Sequence, residues 1–192
     1  MLPLISLLHP TARVKPSEQF PRGWKAAHDV WLERADHPER IEYILTVHES
    51  RCGDIYDEPL PEGTKRWAGF EIATNFKRDC VVDQTNLAAE LSTGSILMGV
   101  QDDYFPPRHW DTLIINAVEQ SVAIENLDSE FIILGAAGAG VQRDKELMIA
   151  GAESRKRYER HGYLLDPDFE SMYSDNWRAI QARRDEAAGL VT

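Results

Sequence analysis

Short apolar runs alternate with stretches of helical periodicity along most of this chain, and that alternation limits what it can fold into. Leu4 to Leu8 is a short apolar run closed by His9-Pro10, as expected for a buried strand leading into a loop. Trp24, Ala27, Trp31, Leu32 and Ala35 recur at helical spacing and predict an amphipathic helix over 22–35. Ile41 to Val47, rich in β-branched and aromatic residues, predicts a second strand. The Pro- and Gly-containing acidic stretch from Arg51 to Gly63 reads as a loop. A third strand is expected over Trp67–Thr74, a helix over Asn86–Thr93 stopped by Gly94, and a fourth strand over Ser95–Val100. Trp110, Leu113, Ile114, Ala117 and Val118 mark another helix, and Phe131–Leu134 a fifth strand. Helices over Lys145–Arg160, with Gly162 just beyond, and over Asn176–Ala188 complete the reading. Strands alternating with helices imply an α/β fold whose mostly parallel central sheet is flanked by helices. A chain of 192 residues accommodates this as one domain spanning 1–192.

Charge narrows the partners. Lys and Arg number 21 against 32 Asp and Glu, so the net charge is −11. Such a chain lacks the positive field that generic nucleic-acid or anionic-membrane binding requires. Arg155, Lys156, Arg157 and Arg160 are the one basic cluster, readable as a solvated helix face or as a local track for an anionic partner. The two cysteines, Cys52 and Cys80, form no CxxC and no zinc-like cluster, which fits a reduced, cytoplasmic protein. Met1 to Leu8 lacks a basic start and is too short for a signal peptide or a membrane span, so no membrane partner is expected.

The most informative segment is Ile96-Leu97-Met98-Gly99-Val100-Gln101-Asp102-Asp103, an apolar strand that delivers two adjacent carboxylates to a loop. Ligands of open α/β sheets sit at the carboxyl ends of the strands, where this pair falls. Hard oxygen donors suit Mg²⁺ or Mn²⁺, and magnesium commonly takes only one or two protein carboxylates, leaving the rest of its shell to water and substrate phosphates. A cation there would reconcile the acidic chain with a phosphate-bearing substrate. The plainer reading is a turn, which Asp also favours.

Several ordered pieces surround this pair: Leu8-His9-Pro10-Thr11-Ala12-Arg13, then Ile41-Glu42-Tyr43-Ile44-Leu45-Thr46-Val47, then Asn86-Leu87-Ala88-Ala89 and Gly94. After it come Tyr104-Phe105-Pro106-Pro107-Arg108-His109-Trp110-Asp111, Gly162-Tyr163, Asp166-Pro167-Asp168-Phe169 and Tyr173-Ser174-Asp175-Asn176. Together they resemble the family-2 glycosyltransferases, which have a GT-A type nucleotide-diphospho-sugar transferase fold, and within them a compact, phage-like member. The resemblance implies a single-domain, metal-dependent transferase moving a sugar from a nucleotide-diphosphate sugar donor to an acceptor hydroxyl, with inversion. Asp102 and Asp103 would form the DxD-type motif, Asp103 contacting the Mn²⁺ or Mg²⁺ directly. Pro10, Thr11 and Arg13 would line the nucleotide pocket, Asn86 would position nucleotide or sugar, and Trp110 and Asp111 would shape the sugar site. Trp110 also suits a core anchor, and Asp111 the positive start of a helix.

The resemblance also places a catalytic base at Asp175. A hydroxyl is a poor nucleophile, so an oriented carboxylate must take its proton as the new bond forms. Asp175 equally suits a helix N-cap. Two stretches depart from the family. Where relatives carry an aspartate after the second strand stands His48, followed by Glu49, which is carried here as a nucleotide-binding residue. The stretch Gly135-Ala136-Ala137-Gly138-Ala139-Gly140 lacks the acid expected before a glycine and has the wrong spacing for a dinucleotide loop. Acceptors open to this chemistry include a glycan and a hydroxymethylated DNA base. The rival readings are a non-catalytic sugar-nucleotide or glycan binding module and a nucleotidyltransferase, the latter disfavoured because Pro10–Pro16 holds no glycine.

Overall fold

The computed structural model describes residues 4–11, 24–47, 78–121, 130–133, 151–170 and 173–190. The expected third strand, the loop over 51–63, the glycine-rich stretch 135–140, Arg13, His48 and Glu49 lie outside them. In chain order the elements are β1 (Ile5–Pro10), α1 (Lys25–Glu33), a 3-10 turn (Pro38–Arg40), β2 (Ile41–Thr46), α2 (Val81–Leu91) and β3 (Ile96–Gly99). Then follow α3 (Trp110–Ser121), β4 (Ile132–Ile133), β5 (Ala152–Ser154), α4 (Arg155–His161) and α5 (Ser174–Ala187).

The strands form one sheet in the order β2-β1-β3-β5-β4. β1 lies between β2 and β3 and runs parallel to both, with Leu7 opposite Tyr43 on one side and Met98 on the other. β5 is antiparallel to β3 and to β4, so it alone among the described strands is reversed. The sheet is mostly parallel, as the alternating pattern implied.

Every residue of β1 is buried, which explains why its sequence is mostly apolar rather than alternating; its polar members, Ser6 and His9, have buried hydrogen-bond partners. Side chains still alternate between faces. Ile5 and Leu7, with Tyr43, Ile96 and Met98, pack under α1 and α3 through Ala27, Trp31, Trp110 and Val118. Leu8, Ile44 and Leu97 point the other way and pack on Ala88 and Ala89 of α2 and on Leu164. Trp31 and Trp110 meet edge to face, ring centroids 4.9 Å apart. Such a contact adds about 0.5–1.5 kcal/mol beyond the area it buries.

Three expectations need correction. The helix predicted over Lys145–Arg160 is in its described part a strand, Ala152–Ser154, followed by a short helix from Arg155. Glu153 and Arg157 have the spacing of a helical ion pair, but their 2.5 Å bridge spans the strand–helix junction. Ser154 ends the strand and caps the helix, its hydroxyl accepting from the Arg157 N–H at 3.2 Å. Helix α2 begins at Val81, five residues before the expected Asn86, because the N-cap is a cysteine: Cys80 Sγ accepts from the Asp83 N–H.

Gly94 is not the residue that stops α2, whose C-cap is Ser92. It is needed where β3 approaches β1. A Cβ there would lie 2.5 Å from Ser6 Oγ and 2.9 Å from the Ser6 nitrogen. The gap is filled instead by hydrogen bonds: the Gly94 N–H donates to Ser6 Oγ at 2.9 Å, and Ser6 Oγ donates to buried Glu42 at 2.7 Å. Gly94→Ala should therefore destabilise the fold by about 1–3 kcal/mol, the usual range for overpacking. Denaturant unfolding measures this, and an unchanged midpoint would contradict the close approach.

Candidate functional site

Parallel pairing of β1 with β3 sets the geometry of the site. Leu8 lies opposite Gly99, and the Val100 N–H donates to the Leu8 carbonyl at 2.9 Å. The residues that follow both strands therefore emerge side by side at the carboxyl edge of the sheet. There the chain after β3 makes a tight turn, the Tyr104 N–H donating to the Gln101 carbonyl at 3.1 Å. Asp102 and Asp103 are its central residues, so the turn reading and the acidic-pair reading describe the same feature.

The two acids differ. Asp102 is 9% exposed and faces β1: Thr11 Oγ1 donates to its Oδ1 at 2.7 Å, and His9 Nε2 lies 3.0 Å from the same oxygen. Asp103 is exposed. Thr11 is itself fixed to β2, its N–H donating to the Thr46 carbonyl at 2.9 Å. Pro10, Thr11, Asp102 and Asp103 thus come together at this edge of the sheet.

Behind Asp102 lies a row of aromatic and imidazole groups that sequence reasoning missed. His9 Nδ1 is hydrogen-bonded to the Tyr43 hydroxyl, and the Tyr43 ring meets His28 edge to face with centroids 4.7 Å apart. Burial, then the negative charge of Asp102, pushes the Tyr43 phenol well above its ordinary range. Burial, reinforced by neighbouring His9, lowers the His28 imidazole to about 4. The signal was a histidine closing an otherwise apolar strand, one parallel strand away from an acid.

The loop after the acidic pair is fastened to α1. Trp31 Nε1 donates to the Tyr104 carbonyl at 2.8 Å and Arg34 Nη1 to the Pro106 carbonyl at 2.6 Å. Trp110 is buried and its Nε1 donates back to the Trp31 carbonyl at 2.8 Å. The buried carboxylate of Asp111 accepts from the Asp36 and His37 N–H groups at 2.9 and 2.8 Å. Both residues, expected in the sugar site, fasten the loop that carries Asp103. Asn86 is likewise turned to the framework, on the opposite face of the sheet. Its Oδ1 accepts from the Leu164 and Leu165 N–H groups, each at 2.9 Å, and its Nδ2 donates to the Leu165 carbonyl at 2.7 Å.

Asp175 lies in the first turn of α5, just after Tyr173, whose φ of 67° turns the chain into the helix. The expected basic track is not available as such. Arg157 is buried, bonded to Glu153 and Asp185 at 2.5 and 3.0 Å. Arg155 donates to Ser92 and to the Gly94 carbonyl, and Arg160 is paired with Glu130 and Asp185. His161 belongs to the same cluster, 3.0 Å from Asp185. Among the described residues, no group of three or more His, Cys, Asp and Glu gathers into a metal cage. No helix among them is long and apolar enough to cross a membrane.

No protein-family model and no curated protein matches the chain. Solved structures do. S. aureus TarS 1-349 in complex with UDP superposes with a TM-score of 0.58 at 10% identity, over 93% of this chain and 54% of that one. The complex of the same fragment with UDP-GlcNAc gives 0.58 and 10%, covering 93% and 53%. The longer S. aureus TarS structure gives 0.59 and 9%, covering 93% and 33%. This chain thus spans about half the length of the TarS fragment it resembles. At such identity the likeness speaks for the fold alone, an α/β arrangement with a mostly parallel sheet flanked by helices.

Two outcomes follow from this geometry. Asp111→Ala leaves two backbone donors without their carboxylate and should cost about 3 kcal/mol, seen in the denaturation midpoint. For His28, the folded value of about 4 lies below the ordinary 6.5. Between these values the unfolded chain binds a proton that the folded protein does not, so stability falls as pH drops through that window. Melting temperatures of His28→Phe should depend less on pH between 6.5 and 4 than those of the wild type. Parallel curves would exclude the assignment.

Proposed function

We propose that this chain is a glycosyltransferase that binds a nucleotide-diphosphate sugar at the carboxyl ends of β1, β2 and β3 and transfers the sugar to an acceptor hydroxyl with inversion. The observation that carries this reading is the division of labour in the acidic pair. Asp102 is buried and held by Thr11 and His9, while Asp103 is presented to solvent at the edge where α/β sheets bind ligands. The fold likeness supports it, since TarS structures with that arrangement were solved with UDP and UDP-GlcNAc.

The donor set fits a hard divalent cation, Mn²⁺ or Mg²⁺. Asp103 offers an exposed carboxylate beside Asp102, and such cations accept one or two carboxylates with water and phosphate oxygens completing the shell. When bound, the cation would offset the negative charge of the diphosphate as it leaves. The chain's own tasks are then three. Asp103 would hold the cation and Asp102 would keep Asp103 in place. Pro10 and Thr11 would border the nucleotide. Asp175, at the start of α5, would take the acceptor proton. Arg13 and Glu49 are carried as nucleotide-binding residues from the sequence alone. A saccharide hydroxyl is the preferred acceptor over a hydroxymethylated DNA base. The net charge of −11 and the engagement of Arg155, Arg157 and Arg160 in internal contacts both oppose a polyanionic partner.

Calorimetry with Mn²⁺ and a panel of UDP-, GDP- and CDP-sugars tests the reading. One sugar nucleotide should bind only when metal is present, and Asp103→Ala should weaken it by at least about tenfold, or about 1.4 kcal/mol. Asp175→Asn should keep donor binding and lose transfer. If no donor binds with or without metal, the chain is a binding module that shares only the fold.

A further inference from the structure

We propose that His9 is a positioning residue for the acidic pair: held in place by Tyr43, it donates from Nε2 to Asp102 and fixes the carboxylate beside Asp103 in the turn. The proposal rests on the transferase reading for its functional consequence and on geometry alone for the hydrogen-bond direction.

The direction follows from what each atom can do. His9 is fully buried, so both ring nitrogens need protein partners. Nε2 lies 3.0 Å from Asp102 Oδ1, and a carboxylate oxygen only accepts, so Nε2 carries the hydrogen. On the other side of the ring Nδ1 is hydrogen-bonded to the Tyr43 hydroxyl, so the ring is held at both nitrogens and its Nε2–H is aimed at Asp102. The opposite tautomer would set the bare Nε2 lone pair against the carboxylate. Thr11 donates to the same Oδ1 from the other side at 2.7 Å. Two converging donors hold Asp102 in one rotamer, and the next residue of the tight turn is Asp103.

The arrangement is the one by which outer partners orient metal-binding groups elsewhere: removing such a partner typically costs about 10–100-fold in metal affinity. Here the partner is supplied by β1 and is itself oriented by β2. Donor and cation binding, rather than the proton transfer at Asp175, is the step that should respond.

Two measurements on the full chain test this. Long-range ¹⁵N–¹H spectra report the tautomer of each histidine, with His9→Asn assigning the His9 signals. The wild type should show a hydrogen on His9 Nε2, as donation to Asp102 requires. A wild-type ring whose Nε2 carries no hydrogen overturns the proposal whether or not the protein is a transferase. In calorimetry with Mn²⁺ and the sugar nucleotide, His9→Asn should lose about tenfold or more in affinity. His9→Gln, whose Nε2 reaches the same carboxylate, should recover to within about threefold, while the maximal rate with either variant changes little. Equal binding by wild type and a folded His9→Asn overturns the proposal. If the wild type binds neither Mn²⁺ nor any sugar nucleotide, it is the transferase reading that falls, and the spectra alone then decide the hydrogen bond from His9 to Asp102.

Discussion

The parallel pairing of β1 with β3 is the constraint on which the site depends. Without it, Thr11 and His9 would not share an oxygen of Asp102, because their hydrogen bonds bridge 91 and 93 residues of chain. The pairing is secured at both ends of the strands by different means. At the amino end, Gly94 allows close approach and Ser6 links it to Glu42, which also accepts from the Thr93 N–H at 2.7 Å. At the carboxyl end, the strands are joined by the buried hydrogen bonds of His9 and Thr11 to Asp102. A shift of one residue would turn His9 away from Asp102 and exchange the two cores at once, so register and site are specified together.

Much of the fold could be read in the sequence because buried parallel strands have a distinctive signature. Leu4–Leu8, Ile41–Val47 and Ser95–Val100 are mostly apolar, and each coincides with most or all of an observed strand. α5 was legible to within two residues at its start and one at its end, its regular run of helix-forming residues having no competing pattern. β5 was not legible. It is three residues long and holds a buried glutamate, and nothing local separates it from the helix that follows. Its identity as a strand depends on β3 and β4, which pair with it from distant parts of the chain.

The position of the acidic pair was legible because it directly follows the apolar run that forms β3. The residues that the family resemblance implied differ in what their side chains bond. Thr11 stands beside Asp102, whereas Asn86, Trp110 and Asp111 direct their polar groups at the backbone of neighbouring segments. Side chains of this kind are ambiguous in sequence because amide, indole and carboxylate groups serve equally to bind a ligand or to satisfy buried backbone. Only the partner decides, and the partners are 74 to 79 residues away.

The reversed edge of the sheet has its own logic. Glu153 is fully buried on β5, and Arg157 and Arg178 reach it from α4 and α5 at 2.5 and 3.1 Å. Asp185 accepts from Arg157 on the far side. Two acids thus face two guanidinium groups in a space from which water is largely excluded. Hydrophobic residues could fill that space at less cost, because desolvating four charges offsets most of their attraction. What charges add is direction, since each guanidinium must meet its carboxylate in a fixed geometry. Arg178 is one turn into α5, three residues after Asp175, and its bond to Glu153 ties the start of that helix to the sheet. Because the sequence of α5 is itself largely polar, this buried cluster does much to fix where the start of the helix sits against the sheet. A rigid ionic link suits that task better than an apolar contact, which leaves a helix free to slide.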